Sequence, residues 1–440
     1  MLSPEIGNDQ ESALIRQGLE ASPLALRAQP GRKERETMQE VRVVGAGMTR
    51  FGKFLDRGLR ELAEEAVSNT VEDAGIDIKD IQTAYVANSV AGLITGQETI
   101  RGQVVLRHTG LMGIPIVNVE NACASASTAF HLGWMSVASG MYDCVLALGV
   151  EKLSDPDRAK SLRAFNSAVD VSELAEIEKR LGRSGEGAAP NRSLFMDLYV
   201  SMLSSGKPAG QSVGGVTPDQ MALVSVKNHY HGSLNPYAQY REEVTLEQVL
   251  RSKSVVGPLT VLMCSPLGDG AAAALLVSEE FARNKGLKGP RVDASVLVSG
   301  RGDDRSMEPS TRRAATKAYE MAGIGPEDVG LAEVHDGVAP AEISIYEDLR
   351  FCARGDGPKL IEDRVTWLGG KLPVNTSGGL LSRGHPIGAT GLGQIVEIVW
   401  QLQGKGGKRQ VEHCKVGLTQ NGGGHIGFDA AAMAVHIFSV

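Results

Sequence analysis

Cys123 is the residue of this sequence whose type and surroundings best suit nucleophilic chemistry. It lies in NACASAS, between an apolar segment that predicts a strand and a segment that predicts a helix. A helix N-terminus presents unpaired N–H groups and partial positive charge, which would lower the thiol pKa and hold an oxyanion. A buried core cysteine is the alternative interpretation. The small residues around Cys123 leave room for a substrate and favour the nucleophile.

Three histidines are candidates for proton transfer or hydrogen bonding at such a site. His385 lies in RGHPIGATG, a predicted rigid bend entering a helix, where it would deprotonate a thiol or serve only in packing or capping. His335 lies in EVHDGVAPAE. It could be a functional histidine, but the segment could equally be a simple strand-to-helix turn with Asp336 as N-cap. His425, in NGGGHIG, is either functional or a surface turn residue. That glycine-rich loop is not followed by GKS or GKT, and we predict neither a P-loop nor a Rossmann site there.

The other four cysteines are interpreted as structural. Five cysteines, widely spaced and without a CxxC pair, predict neither a disulfide framework nor a zinc site, and they fit a reducing compartment. The four structural positions are Cys144, Cys264, Cys352 and Cys414.

Short apolar strands alternating with amphipathic helices must position these groups. The first strand is predicted at 41–47 and the first helix at 59–75. A buried strand at 114–121 and a helix from about 124 to 140 enclose Cys123. This alternation predicts an α/β fold with mainly parallel or mixed sheets.

The chain divides into an extension, two α/β units and an excursion between them. Residues 1–38 form the predicted extension, and 39–153 with 256–285 form the first unit. Residues 154–255 are richer in charge, lack strand patterns and predict an inserted loop domain. The second unit covers 290–440. A strand followed by a Gly/Ala-rich helix occurs in both units, which indicates duplication.

Composition narrows the function classes. The 440 residues are 42% hydrophobic and 22% charged, as in an ordinary globular protein. A net charge of −7 disfavours nucleic acid and anionic membranes as main partners. No apolar run approaches the ~18 residues that span a bilayer, and the first residues lack a signal-peptide pattern. We therefore expect a cytoplasmic protein without membrane insertion.

NACASAS, CSPLGDGAAAA, HDGV and GGLLSRGHPIGATG, in this order, resemble the motifs of the thiolase superfamily. The similarity is greatest to the sterol-carrier-protein thiolases and covers about residues 40–440. It implies two similar α/β halves in a five-layer αβαβα arrangement with an inserted loop domain. It also implies cleavage of a 3-oxoacyl-CoA with CoA, or the reverse Claisen condensation, with CoA as substrate, no further cofactor and no metal.

The resemblance assigns roles to individual residues. Cys123 would accept the acyl group, and His385 would activate it and help bind the thioester oxygen. His335 would donate in a first oxyanion hole. The backbone N–H groups of Cys123 and of Gly423 or Gly424 would form a second. We expect both imidazoles to lie within about 8 Å of the sulfur.

The sequence departs from the family at the second, acid/base cysteine. Gly337 stands where many sterol-carrier thiolases have the cysteine of HDCF, and the loop 421–425 has no cysteine either. Proton transfer would then fall to His425, or to His385 with water, or the reaction is altered. The preferred hypothesis is a degradative thiolase using Cys123. The alternatives are a retro-aldolase acting on a CoA ester side chain and a non-catalytic lipid-binding or scaffold subunit.

CoA requires basic groups for its phosphates and a tunnel of small residues that leads to Cys123. The candidate basic residues are Arg192, Lys207, Lys227 and Arg241. The candidate tunnel residues are Ser377, Gly378 and Gly379.

The resemblance also implies partners. Thiolase-like chains with an HD motif and a glycine-rich end without cysteine, such as benzoylsuccinyl-CoA thiolase, often work with a small zinc-ribbon/OB-fold protein. We therefore expect a homodimer that assembles with such a partner and shows weak thiolysis alone.

Overall fold

Residues 38–183, 193–203 and 215–440 are described by the computed structural model. The predicted extension 1–38 therefore lies outside the described residues except for Met38. Eleven strands form in the described part of the chain. They are β1 (Val41–Met48), β2 (Thr83–Ala87), β3 (Ile116–Val119), β4 (Cys144–Glu151), β5 (Ser254–Val256), β6 (Leu259–Thr260), β7 (Gly270–Ser278), β8 (Arg291–Ser299), β9 (Leu331–Glu333), β10 (Val416–Gly423) and β11 (Ala432–Ser439).

Fifteen α-helices connect and cover these strands within the same ranges. They are α1 (Leu59–Ala74), α2 (Ala91–Thr95), α3 (Arg101–Leu106), α4 (Ser125–Ala138), α5 (Arg158–Ala164), α6 (Leu174–Arg180), α7 (Leu194–Leu203), α8 (Pro218–Ser233), α9 (Leu246–Arg251), α10 (Glu279–Lys285), α11 (Ser310–Ala322), α12 (Ala339–Asp348), α13 (Gly357–Glu362), α14 (Gly379–Arg383) and α15 (Thr390–Leu402). None of the described helices is both long enough and apolar enough to cross a membrane.

Nine strands form one mixed sheet in the order β3-β2-β4-β7-β1-β8-β11-β10-β9. β2 is parallel to β3 and β4, and β10 is parallel to β9, whereas the other neighbours are antiparallel. β1 and β8 pair only at Arg42 and Arg291, so the sheet divides there into two halves. β7 lies between β4 and β1, which returns the chain to the first half after the charged excursion.

Helices cover both sides of each half. α1 packs on β1 and β7, and α11 packs on β8 and β11. α4 and α15 contact each other, and α15 contacts β1 and β7 of the first half as well as β9 and β10 of the second. The sequences of β4 and β7 are consistent with this arrangement, since both strands are mostly apolar. Every residue of β4 and β7 is buried, as expected for strands covered by helices on both faces. The result is the five-layer α/β architecture that the resemblance implies, and it confirms the α/β fold with a mixed sheet that the sequence pattern predicts.

Candidate active site

Cys123 lies on a tight turn between β3 and α4. Ala122–Ala124 form one turn of 3-10 helix, and Ala122 has a φ of +48°, a left-handed conformation that costs roughly 1–3 kcal/mol. The Ser125 hydroxyl stabilises the turn. It accepts from the N–H of Asn121 at 2.8 Å and donates to the carbonyl of Ala122 at 2.6 Å. The Cys123 side chain is thereby held in the lining of a large cavity.

The Cys123 thiol is neutral at physiological pH. Burial raises its pKa above the usual range, and the Glu151 carboxylate acts in the same direction. Hydrogen bonds from the N–H groups of Cys123 and Gly424 lower the pKa but do not reverse the shift. The prediction that the helix N-terminus would favour the thiolate was therefore wrong, because the loss of hydration outweighs the local N–H groups. The sulfur needs a base when it attacks.

His385 is oriented as that base. Its Nδ1 lies 2.7 Å from the Thr390 hydroxyl, which donates its single proton to the carbonyl of Pro386 at 3.0 Å. Thr390 must therefore accept from Nδ1–H, which leaves the Nε2 lone pair of His385 free. Burial, followed by the charges of His335 and Arg383, holds the pKa of His385 well below its usual value. The imidazole is neutral at physiological pH and able to accept a proton.

His335 has the opposite tautomer. Its backbone N–H donates to the Gln420 side chain at 2.9 Å, and the Asn421 amide nitrogen lies 3.1 Å from its Nδ1. Because that nitrogen is a donor, Nδ1 accepts and the proton of His335 is on Nε2. Burial, with a contribution from Arg383, lowers the pKa of His335 to about 4. His335 is thus a neutral hydrogen-bond donor.

The three groups converge although they come from distant parts of the chain. Ligand atoms of Cys123, His335 and His385 lie within 4.8 Å of one another. The predicted convergence within about 8 Å is therefore confirmed. Thiol and imidazole are also zinc ligands, and among the described residues this is the only cluster of His, Cys, Asp and Glu with the geometry to hold a metal.

Glycine is required where the end of β10 meets the Cys123 turn. A Cβ on Gly423 would lie 2.5 Å from the N atom of Ala124 and still closer to the carbonyl of Asn121. Gly424 has a φ of +63°, and its N–H is directed at the Cys123 sulfur. Of the two glycines predicted to contribute a donor beside Cys123, the geometry favours Gly424.

A cavity of about 1240 Å³ opens from Cys123 and His335. Its lining includes the apolar residues Phe195, Leu198, Ala341, Ile345 and Met433. Four arginines also line it, and three of them are exposed. The four are Arg180, Arg301, Arg305 and Arg354. Sequence reasoning missed them because they are scattered through segments without a motif.

The residues predicted to form a CoA tunnel are not part of the lining of this cavity. Ser377 is buried, and its hydroxyl donates to Glu333 at 2.6 Å. A Cβ on Gly378 would lie 2.8 Å from the Cα of Gly232, and a Cβ on Gly379 would meet the Asp336 carboxylate. The tunnel prediction for Ser377, Gly378 and Gly379 was wrong, because close backbone packing occupies the space around them.

Of the predicted basic contacts, two can be placed. Lys227 is fully buried, forms an ion pair with Glu342 and donates to the carbonyl of Val374 at 2.9 Å. Because its ammonium binds these buried groups and is not exposed, the predicted contact of Lys227 with CoA was wrong. Arg241 lines a different cavity of about 800 Å³, whose lining does not include Cys123. Arg192 and Lys207 lie outside the described residues.

His425 and Tyr199 line the same cavity as Cys123. Burial lowers the pKa of His425, and the charges that act on it are those of Arg180 and Asp429. Tyr199 lies on α7, and the charge of Cys123 contributes to its raised pKa. Sequence reasoning missed Tyr199, since LFMDLYV reads only as an apolar helix segment.

Comparison with known families agrees with this architecture. The family model described as "Thiolase, N-terminal domain" matches residues 41–179. The model described as "Thiolase C-terminal domain-like" matches residues 300–437. Together they cover more than half of the chain.

Curated relatives match over most of the sequence. The "Acetyl-CoA acetyltransferase" of Methanothermobacter thermautotrophicus is 41% identical, covering 91% of this chain and 100% of the relative. The protein of the same name from Methanocaldococcus jannaschii is 40% identical, with 91% and 99% covered. Human "Sterol carrier protein 2" is 35% identical, with 88% and 70% covered.

Solved structures share the fold. The "Ltp2-ChsH2(DUF35) aldolase" superposes with a TM-score of 0.67 at 24% identity, covering 91% of this chain and 98% of that chain. Human mitochondrial 3-ketoacyl-CoA thiolase in complex with CoA gives a TM-score of 0.67 at 18% identity, with 92% and 99% covered. With the family models and the relatives, these findings establish that the chain belongs to the thiolase family, in its sterol-carrier-protein-thiolase-like branch, and is an acyl-CoA C-acyltransferase.

Proposed function

We propose that this protein cleaves a 3-oxoacyl-CoA with CoA through an acyl-Cys123 intermediate, in a degradative direction. One observation carries the proposal. The Cys123 sulfur and one ring nitrogen from each of His385 and His335 lie within 4.8 Å of one another, and the two imidazoles have opposite tautomers. A neutral thiol beside a neutral imidazole is a nucleophile with its base, the arrangement that acyl transfer requires.

The steps follow from these positions. The Nε2 atom of His385 takes the thiol proton as the Cys123 sulfur attacks the 3-oxo carbon. The N–H groups of Cys123 and Gly424 stabilise the oxygen of the tetrahedral adduct. The Nε2–H of His335 holds the thioester oxygen of the departing CoA ester while negative charge develops on it. CoA then displaces Cys123 from the acyl group.

The cavity is consistent with a CoA ester. The apolar residues of its lining suit an acyl chain, and its volume of about 1240 Å³ is large enough for that chain together with the pantetheine arm. The arginines Arg180, Arg301, Arg305 and Arg354 supply bidentate phosphate donors in place of Lys227. The reaction so proposed uses CoA as substrate and no other cofactor.

The edge strand β3 supports a homodimer. β3 is the terminal strand of the sheet, and Val117 on it is 42% exposed. Met112 and Met135 are large exposed apolar residues in segments adjoining β3. An unpaired edge with apolar side chains favours pairing with a second copy.

A small zinc-ribbon/OB-fold partner is the second part of the assembly we propose. The similar "Ltp2-ChsH2(DUF35) aldolase" joins Ltp2 to a DUF35 protein, which supports this idea. We expect the isolated chain to thiolyse weakly, and the partner to co-elute with it and raise the rate. Full activity of the purified chain alone would defeat the partner proposal and leave the Cys123 chemistry untouched.

The acyl-enzyme is tested by intact-protein mass spectrometry after mixing with acetoacetyl-CoA and longer 3-oxoacyl-CoA esters. One acyl adduct per chain is expected on the peptide that contains Cys123. Cys123→Ala should lose both the adduct and thiolysis, whereas Cys352→Ala, which removes a thiol outside the cavity lining, should keep both. Thiolysis that survives in Cys123→Ala would exclude the acyl-enzyme. Cleavage of a CoA ester side chain without an adduct would favour the retro-aldolase alternative.

A further inference from the structure

Tyr199 is held in the same cavity as Cys123 and His335. It lies on α7, and burial raises the pKa of its phenol, with the charges of Cys123 and Asp336 adding to the shift. The group is therefore a neutral phenol at physiological pH. Within the described residues, its hydroxyl forms no hydrogen bond with another protein group. It is free to bond a substrate.

The absence of a side chain at residue 337 makes room for this phenol. A Cβ on Gly337 would lie 2.9 Å from the Tyr199 hydroxyl and 3.3 Å from the ring atoms Cε2 and Cζ. Gly337 follows His335 by two residues and precedes α12. The hydroxyl thus takes the place that a side chain of residue 337 would fill, on the His335 side of the cavity.

The proposed cleavage needs an acid at this position. Breaking the carbon–carbon bond leaves a carbanion on the α-carbon, which must be protonated. His385 holds the proton taken from Cys123, and His335 uses its Nε2–H for an oxygen. Asp429 accepts from the N–H and hydroxyl of Ser310 at 2.8 and 2.7 Å, so its carboxylate is occupied.

His425, the candidate from the sequence, interacts electrostatically with Arg180 and Asp429. Tyr199 interacts with Cys123 and Asp336. Of these two proton donors in the cavity, Tyr199 is the one that packs against Gly337, two residues from His335 of the Cys123, His335 and His385 cluster.

We propose that the Tyr199 hydroxyl is the acid and base of the reaction at the substrate α-carbon, a role that rests on the proposed function. As the tetrahedral adduct on Cys123 collapses, the bond between the α-carbon and the former 3-oxo carbon breaks. Its electron pair forms the enolate of the departing acyl-CoA. Tyr199 gives its proton to the α-carbon and becomes a phenolate. The phenolate takes the thiol proton of the incoming CoA, whose sulfur displaces Cys123, and His385 returns its proton to the Cys123 sulfur.

The test separates carbon-acid chemistry from acyl transfer. Acetyl-CoA and propionyl-CoA are incubated with the enzyme in D2O, and deuterium entering the α-position is measured beside acylation of Cys123. Tyr199→Phe should lower α-exchange and thiolysis at least about 100-fold. Acylation of Cys123 from acetyl-CoA should stay within about tenfold of wild type, because a thiolate leaves without the help that carbon needs. Tyr240→Phe, a partly exposed tyrosine outside the cavity lining, is the matched control.

Each outcome is decisive for the tyrosine. Wild-type α-exchange in Tyr199→Phe would overturn the proposal. Equal loss of exchange and acylation would also overturn it, because the hydroxyl would then only maintain the site. If wild type forms no acyl adduct, the proposed function fails first and separately.

A second variant covers the case in which Tyr199→Phe does not fold. The second variant combines Tyr199→Ala with Gly337→Cys. The first change removes the ring that would clash with a side chain at residue 337. The second supplies a thiol that can donate a proton from that neighbouring position. Recovery of α-exchange relative to Tyr199→Ala alone supports the assignment. No recovery in a folded, acylating enzyme counts against it.

Discussion

The imidazole of His385 stands edge-on to the imidazole of His335, with the ring planes 89° apart and the centroids separated by 5.2 Å. The two rings have opposite tautomers, since Thr390 accepts from one and Asn421 donates to the other. Two chemically identical side chains are thereby given different tasks beside one sulfur. One nitrogen accepts a proton and the other donates a hydrogen bond.

Thr390 should set the activity of His385. In Thr390→Val the Nδ1–H loses its acceptor, so the imidazole is free to adopt the tautomer that cannot receive the thiol proton. We expect kcat/KM for thiolysis to fall about 10- to 100-fold. Thr390→Ser keeps the hydroxyl and should stay near wild type. A wild-type rate constant in Thr390→Val would show that the Thr390 hydrogen bond does not select the tautomer.

His335 should act as a donor and not as a base. In His335→Leu we expect kcat to fall about 100- to 1000-fold, the loss typical when one oxyanion donor is removed. His335→Gln places an amide N–H close to the position of Nε2 and should recover much of that loss. The comparison is made by steady-state thiolysis at saturating substrate. Equal activity of the Leu and Gln variants would mean that no N–H is needed there.

The pH dependence of thiolysis and of Cys123 alkylation should show that the Cys123 thiol and the His385 imidazole are both neutral at physiological pH. The pKa of His385 is lowered, so kcat/KM should hold at pH 6.5 and decline only below it, as the imidazole becomes protonated. The pKa of the Cys123 thiol is raised, so alkylation by iodoacetamide without substrate should be slow at pH 7.5 and still rise above pH 9. Cys123→Ala identifies the alkylated site. An alkylation rate already constant at pH 6 would indicate a preformed thiolate–imidazolium pair.

The elements around the nucleophile are predictable from sequence because their patterns are local. For the strand–turn–helix that contains Cys123, the sequence predicts a strand at 114–121 and a helix from about 124 to 140, and the structure has Ile116–Val119 and Ser125–Ala138. Apolar runs and small residues determine such elements through neighbours along the chain.

Burial by distant segments was not predictable. The thiol pKa of Cys123 depends on burial, and Cys123 packs against Val90, Leu153 and Ile387, which lie far from it in sequence. Tyr199 acquires its position from Gly337, which lies 138 residues away in sequence. Lys227 looked like a charge on a solvated helix because its partner Glu342 lies 115 residues further along.

Lys227 should therefore stabilise the fold and should not bind CoA. Glu342 pairs with Lys227 and also accepts from the amides of Asn228 and Asn375 at 2.8 and 2.7 Å. In Lys227→Met a buried carboxylate loses its cation, so we expect the free energy of unfolding to drop by about 3–5 kcal/mol in urea titrations.

The matched variant is Lys227→Met combined with Glu342→Gln, which removes the orphaned charge but keeps an acceptor for the two asparagines. It should be more stable than Lys227→Met alone, because the desolvated carboxylate accounts for most of the loss. The KM for CoA of the folded enzyme should not change in either variant. Unaltered stability together with a raised KM for CoA would instead return Lys227 to the phosphate contacts that the sequence first indicated, and would require the buried pair with Glu342 to open when CoA binds.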